Sequence, residues 1–432
     1  MDRRTIPSPW LPCAVAAVAL AAAGGLARAQ TPTTAALDLK QAFDAAWARQ
    51  PEALALAARQ DAARAAKQAA TSWTPEPVAL ELAGRTDRLN RNRGSRETEL
   101  GLAVPIWLPG ERSSSLALAE AEGQAVESRT RAAQLRVAAN VRETWWQWLR
   151  AHIDADLARA QLDNARGLAA DVARRQRAGD LARADLNQAE GALAAAQSAL
   201  AQAEAGVSAA RNLLQATTGL RGLVAPATAA GEIEPAVPAA RAAAPLTALA
   251  TSPQADTHAA VAELKDKATV AQRAAALART QSRAHPELTL SVMQERGAFG
   301  EPRQQTVALG LRIPFGAGAR QGARVAQAQA DGIEAQAQLV NERDRVAAEQ
   351  DSALARVSAA RAQRAAAQRR SQLALETRGF FDKSFRLGET DLPTRLRIEA
   401  EATEAERQMA RAGIELAAAI SSLRQALGLL PQ

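Results

Sequence analysis

Tyrosine is absent from this sequence, and the other aromatics hold the aromatic share to 3% of its 432 residues. Compact mixed cores draw much of their buried area from aromatic side chains, so this composition argues against one. No aromatic series interleaves with a basic run, which excludes a stacking surface for nucleic acid. The formal charge is +7, yet 53 bases are interspersed with 46 acids, the pattern of solvated helix faces. The only cysteine is Cys13, so an internal disulfide and a cysteine metal site are both excluded. His152, His258 and His285 each lack a second histidine four positions on, and three methionines, counting Met1, cannot build a methionine relay for copper. No metal or cofactor is therefore expected. No Ser-His-Asp set, phosphate loop or hydrolase-spaced carboxylate pair stands out, so no enzyme activity is expected.

Long apolar runs are missing too, with one exception at the N-terminus. Arg3 and Arg4 precede the apolar stretch "PCAVAAVALAAAGGL", and Ala27-Arg28-Ala29 supplies a cleavage site before Gln30. Residues 1–29 read as a secretory signal peptide. Nothing later approaches the ~18 uncharged apolar residues of a membrane helix. An exported chain of this kind is periplasmic, secreted, or inserted in an outer membrane as β-structure.

What the sequence does contain is alanine, arginine, leucine, glutamate and glutamine in long helical patterns, written twice. Pro77 and Pro286, Pro105 and Pro314, Gly179 and Gly388, and Gly219 and Gly428 are four pairs, each 209 positions apart. Alanine-rich chains resemble themselves everywhere, but that alone does not align prolines and glycines. The first unit spans 30–220, with strands expected at 77–87 and 96–107 and a hairpin tip at 177–186. A linker follows at 221–250. The second unit spans 251–432, with strands at 286–295 and 305–316 and a tip at 386–393.

Each tip reads Arg-x-Gly-acid: Arg177, Gly179 and Asp180, then Arg386, Gly388 and Glu389. Glycine ends one helix, and in the second copy Thr390 or Asp391 starts the next with Pro393 in its first turn. The return helices carry a heptad seam. Leu186, Leu193, Leu200, Val207 and Leu214 alternate with Ala189, Ala196, Ala203 and Ala210. Ile398, Ala402, Ala405, Met409, Ala412, Leu416, Ala419 and Leu423 repeat it in the second copy. Four short alternating strands cannot close a barrel alone, and an open edge cannot sit in lipid, so the chain is expected to oligomerise.

Signal peptide, helix, strand pair, long helix, tip and heptad return, all repeated, resemble the TolC family of outer-membrane efflux channels across nearly the whole mature chain. "GLAVPIWLPGER" and "GLRIPFGAGAR" look like the family's second strand leading into its long helix. "RRQRAGDLARADLNQAEGALAAAQSAL" looks like its hairpin tip. "VRETWWQWLRAHIDADLARAQL" is most similar to the branch serving cobalt, zinc and cadmium resistance pumps. The resemblance implies a mostly α fold with a β-barrel part. Duplicated hairpins would form a coiled-coil α-barrel, and four transmembrane strands per chain would close into a barrel by trimerisation. It implies a homotrimer in outer-membrane lipid, a periplasmic adaptor docking on the six tip residues, and an inner-membrane resistance-nodulation-division pump. Conduction would be passive, possible cargo being heavy-metal cations. The family's constriction residues, six and nine after the tip glycine, fall on Asp185, Gln188, Thr394 and Arg397, which departs from an acidic ring in the second copy. Trp107 and its twin Phe315 are candidate membrane-interface aromatics. A periplasmic adaptor and a poreless coiled-coil protein stay open as alternatives, although two strand pairs fit neither well.

Overall fold

The structure, a computed structural model, describes residues 37–90, 92–224, 234–235, 257–315 and 318–432, all within the unit Ala36–Gln432. The expected signal peptide and most of 221–250 lie outside them. The chain runs through α1 (Leu39–Ala48), α2 (Pro51–Leu54), α3 (Leu56–Ala70), β1 (Ala79–Thr86), β2 (Arg96–Pro105), α4 (Glu111–Ala178) and α5 (Arg183–Thr218). It continues through α6 (Ala259–Thr280), β3 (Glu287–Arg296), β4 (Gln304–Arg312), α7 (Gly318–Arg386) and α8 (Leu392–Ala426).

Helices α4 and α7 have 68 and 69 residues, roughly 100 Å at 1.5 Å per residue. Neither has a single amphipathic stripe along its whole length, because each changes partners on the way. On the strand side α4 packs between α3 and α6, and α6 packs on α7. Lys67–Glu120, Arg136–Glu263 and Lys267–Gln338 bridge these pairs at 3.0, 2.8 and 2.9 Å. On the tip side α4 packs between α5 and α8, and α8 packs on α7. Arg411 of α8 makes a two-pronged contact with Asp154 of α4 at 3.0 and 3.1 Å. Both halves are thus four helices abreast, α3-α4-α6-α7 and α5-α4-α8-α7.

The expected seam of α5 faces this layer, with Ala189, Ala196 and Leu214 buried. In α8 the seam is buried or half-buried except at Met409, which is 39% exposed. The reason is a second buried stripe on α8, Ile414, Ala417, Ser421 and Arg424. A helix packed on two neighbours cannot keep one strict seam.

The main core lies mid-layer. Leu39, Ala42 and Phe43 of α1 meet Val141, Trp145 and Trp148 of α4, Leu214 of α5 and Ile414 of α8. The three-tryptophan cluster of the sequence is therefore packing. Beside it, Glu234 sits between two arginines from different helices. Arg142 reaches it at 2.6 Å and Arg424 at 3.3 Å, each side chain no more than 4% exposed. Arg142 also donates to the Leu429 carbonyl at 3.0 Å. This charge triad fastens the described part of the linker to both repeats.

The strands form one antiparallel sheet in the order β1-β2-β3-β4. The two copies meet at its centre, where β2 pairs with β3. β1 and β4 are its edges, and they lie on the same sides as α3/α5 and α7. Sheet and helix layers are therefore open at the same two flanks.

Candidate functional site

The register across the sheet fixes which side chains share a face. Leu80, Leu102, Leu290 and Leu309 form one row, and Leu82, Leu100, Val292 and Val307 the next. Val104, Leu288 and Leu311 continue the band toward the helices. Most of this apolar band is exposed: Leu82 is 75%, Leu309 73% and Leu80 71% exposed. The opposite face carries Ala79, Ala103, Thr289 and Gly310, then Glu81, Gly101, Ser291 and Ala308. Among these, Gly101 and Ala103 are buried. A water-soluble sheet buries its apolar face, and this one leaves it exposed. Such a sheet suits an apolar solvent outside and a polar interior. Toward the loops the polar face gains Glu97, Glu99 and Glu295, with Arg85 paired to Glu97 at 3.1 Å.

Where strands meet helices, three side chains converge that the sequence did not single out together. Both ring nitrogens of His285 are hydrogen-bonded, Nδ1 to Glu76 at 3.1 Å and Nε2 to Glu111 at 2.9 Å. Glu111 is buried and also accepts from Gln281 at 2.8 Å and from the Leu108 N–H at 3.1 Å. Burial pulls the His285 pKa down, but Glu111 and then Glu76 outweigh it, leaving it above the ordinary 6.5. Burial pushes Glu111 up, but His285, Gln281 and Leu108 outweigh it, leaving it below 4.5. Both shifts favour the charged pair, imidazolium beside carboxylate, and both ring nitrogens are engaged by carboxylate oxygens. No metal-holding group of three His, Cys, Asp or Glu occurs among the described residues.

The signs give a pH window. The His285 contribution is complete below its unfolded pKa near 6.5 and disappears as pH rises through its raised folded value. The Glu111 contribution is complete above about 4.5 and disappears as pH falls through its lowered value. We expect His285→Gln to lose about 2 kcal/mol at pH 5.5, the scale of a charged hydrogen bond, and markedly less at pH 9. Thermal unfolding of the detergent-solubilised protein checks this. An equal loss at both values would mean that the imidazole is neutral in the fold.

The interface candidates lie at this same end. Trp107 is half-buried, donates its indole N–H to the Ser72 carbonyl at 3.2 Å, and meets His285 edge-on at 6.3 Å. Phe315 is 84% exposed. Trp73, just before β1, is 95% exposed and was not singled out from sequence, since it lies outside any strand pattern.

At the far end both tips are left-handed glycine caps. Gly179 has φ 90° and Gly388 φ 81°. The Asp180 N–H donates to the Arg175 carbonyl and the Glu389 N–H to the Ser384 carbonyl, at 2.9 and 3.0 Å, closing each helix. Asp391 caps α8 by accepting from the Thr394 N–H at 3.3 Å. Arg177, Gly179, Asp180, Arg386, Gly388 and Glu389 are all exposed. The tips hold each other through Phe385, which is 1% exposed. Arg175 and Arg395 lie over its ring at 4.9 and 4.7 Å, and Asp382 pairs with both Arg386 and Arg395 at 2.5 and 2.6 Å. Of the constriction candidates, Asp185 accepts from the Ala182 N–H at 2.9 Å and so caps α5. Arg397 pairs with Glu401 at 2.9 Å, and Gln188 is exposed.

Residues 42–220 match the family model described as outer membrane efflux protein. A search of curated protein sequences gives no match. Solved structures share the fold across most of the chain. CusC, whose crystal structures describe transmembrane channel formation, superposes with a TM-score of 0.75 at 19% identity, over 91% of this chain and 92% of its own. The Campylobacter jejuni CmeC outer membrane channel gives 0.70 at 16% identity, covering 90% and 85%. The Neisseria gonorrhoeae MtrE outer membrane channel, in its open state, gives 0.71 at 18% identity, covering 90% and 89%. The fold is therefore that of the TolC-like channels.

Proposed function

We propose that this chain is one third of an outer-membrane exit duct, and the observation that carries the reading is the inside-out sheet. Its exposed leucines need lipid, and its edges β1 and β4 need partners. Open flanks on sheet and helix layers alike fit a ring of identical copies, β4 and α7 of one against β1 and α3/α5 of the next. Three copies supply twelve strands, an even number suited to a closed barrel. The matched family model supports the efflux role.

In this reading the helix layers line a periplasmic tunnel, the loops 87–95 and 297–303 face the exterior, and a leader at 1–29 is removed on export. The exposed tips dock a periplasmic adaptor joined to an inner-membrane pump. Asp185, Gln188, Thr394 and Arg397 line the constriction without forming an acidic ring. Trp73 joins Phe315 and Trp107 at the periplasmic lipid boundary. Energy comes from the pump, and the duct only conducts. The glutamates of the polar face, Glu81, Glu97, Glu99 and Glu295, give the lumen an acid excess that favours cationic cargo, with metal cations the substrate class that the resemblance of residues 141–162 suggests.

The test is mass and conductance together. Purified protein in detergent is expected to run as three chains and to open cation-preferring channels in planar bilayers. A stable monomer that conducts nothing would remove the reading.

A further inference from the structure

Charge on the sheet is sorted by face. The glutamates of its loop end, Glu97, Glu99 and Glu295, are on the polar face. The exposed apolar face carries only two charged residues, Arg96 and Arg296, which stand directly opposite each other across the β2–β3 pair. Like charges directly opposite weaken a sheet unless an anion lies between them. Arg96 is exposed and makes no ion pair with the described residues. Arg296 is held in place: its Nε donates to the Gly94 carbonyl at 3.1 Å, and its guanidinium lies 5.5 Å from the Phe299 ring centre. Its terminal nitrogens stay available. The loop acids Asp87 and Glu301 are paired with neither arginine. Asp87 accepts from the Arg93 N–H at 2.6 Å, and Glu301 accepts from the Ala298 N–H at 3.0 Å, each inside its own loop.

Position identifies the anion. The two arginines are four residues beyond Leu100 and Val292, the last full apolar row. At 3.4 Å per residue and a tilt near 40°, that is roughly 10 Å along the membrane normal. Long arginine stems reach back from there into the headgroup layer. Paired guanidinium forks match phosphate oxygens in geometry and charge. We propose that Arg96 and Arg296 form a binding site for the phosphates of an anionic lipid headgroup in the leaflet nearest the loops. The lipid's acyl chains would then lie along Leu100, Val292 and their row neighbours, which a free phosphate could not use.

This site rests on the reading of the sheet as a lipid-facing barrel wall, and the experiment separates the two. The full-length protein is reconstituted into nanodiscs of phosphatidylcholine alone, then with added lipid A carrying two phosphates, and retained lipid is counted by native mass spectrometry. The wild type is expected to insert in both and to enrich the phosphorylated lipid. Arg96→Gln/Arg296→Gln should insert equally and lose about thirtyfold of that enrichment, from about 1 kcal/mol for each of the two surface cations. Arg85→Gln, on the polar face, should keep it. Undiminished enrichment in the double variant, equal loss in Arg85→Gln, or displacement by millimolar inorganic phosphate would overturn the site. Failure of the wild type to insert into phosphatidylcholine would overturn the barrel reading itself.

Discussion

Leu290→Arg is expected to abolish outer-membrane assembly, while Ser291→Arg, one residue further along the same strand, leaves it near normal. Leu290 lies on a central strand in the middle of the apolar band, flanked across the register by Leu102 and Leu309. In the proposed barrel an arginine there would face hydrocarbon at about 2–4 kcal/mol per copy. The proposed three copies would bring the penalty to about 6–12 kcal/mol, as large as the whole stability of an ordinary domain. Ser291 faces the other way, between Gly101 and Ala308 and in the row of Glu81. There an arginine has room, water and a carboxylate. The readouts are the membrane fraction and the oligomer band on gels of unheated samples. Equal tolerance of both substitutions would mean that the leucine face does not meet lipid, and equal failure would mean that β3 cannot take any charge.

That comparison uses a fact the sequence carries only in part. Alternation within "PELTLSVMQE" and "QTVALGLRIPFG" is visible in the letters, because period two is local. The duplication is visible because turns demand glycine and proline at fixed places, and alanine-rich helix does not disguise them. The seam of α5 is visible because one helix pairs there with one neighbour. What the letters do not show is what joins distant segments. His285 meets Glu76 and Glu111 from 209 and 174 positions away. Arg142 reaches Glu234 across 92 positions, and Phe385 is clasped by Arg175 from the other repeat. Of these, only His285 and Glu76 fall on the 209-residue repeat offset, as twin positions holding different residue types, and the offset by itself does not mark a contact. Each exists because two long hairpins lie side by side, a relation that periodicity within one hairpin does not encode. Met409 shows the same limit from the other side. The heptad places it on the seam, but α8 also packs on α4, and the buried stripe shifts away from it.

Gly388→Val and Gly179→Val are expected to leave assembly intact and to remove efflux-dependent resistance. Both glycines sit at positive φ, where a β-branched residue costs roughly 1–2 kcal/mol. A Cβ at either position meets nothing within 4 Å, so the cost is backbone strain alone and no neighbour is pushed aside. The hairpins continue for more than thirty residues beyond each tip, with α5 of 36 and α8 of 35. Phe385 and its arginines hold the tips together one turn away. That packing exceeds the strain, so the chain folds and inserts. What changes is the cap itself: the Glu389 N–H leaves the Ser384 carbonyl, or the Asp180 N–H leaves Arg175, and the exposed Arg-x-Gly-acid display is lost. Arg386→Glu tests the display without backbone strain. It breaks the contact with Asp382 and reverses the charge of a side chain that is 73% exposed. It should reproduce the loss of resistance with normal yield. Susceptibility to the exported compound is measured in cells carrying the cognate pump and adaptor, beside crosslinking of the tips to the adaptor. Loss of both, with normal membrane insertion, assigns docking to the tips. Normal resistance and normal crosslinking in both glycine variants would reduce the tips to turns, and adaptor contact would then have to lie along the hairpin flanks.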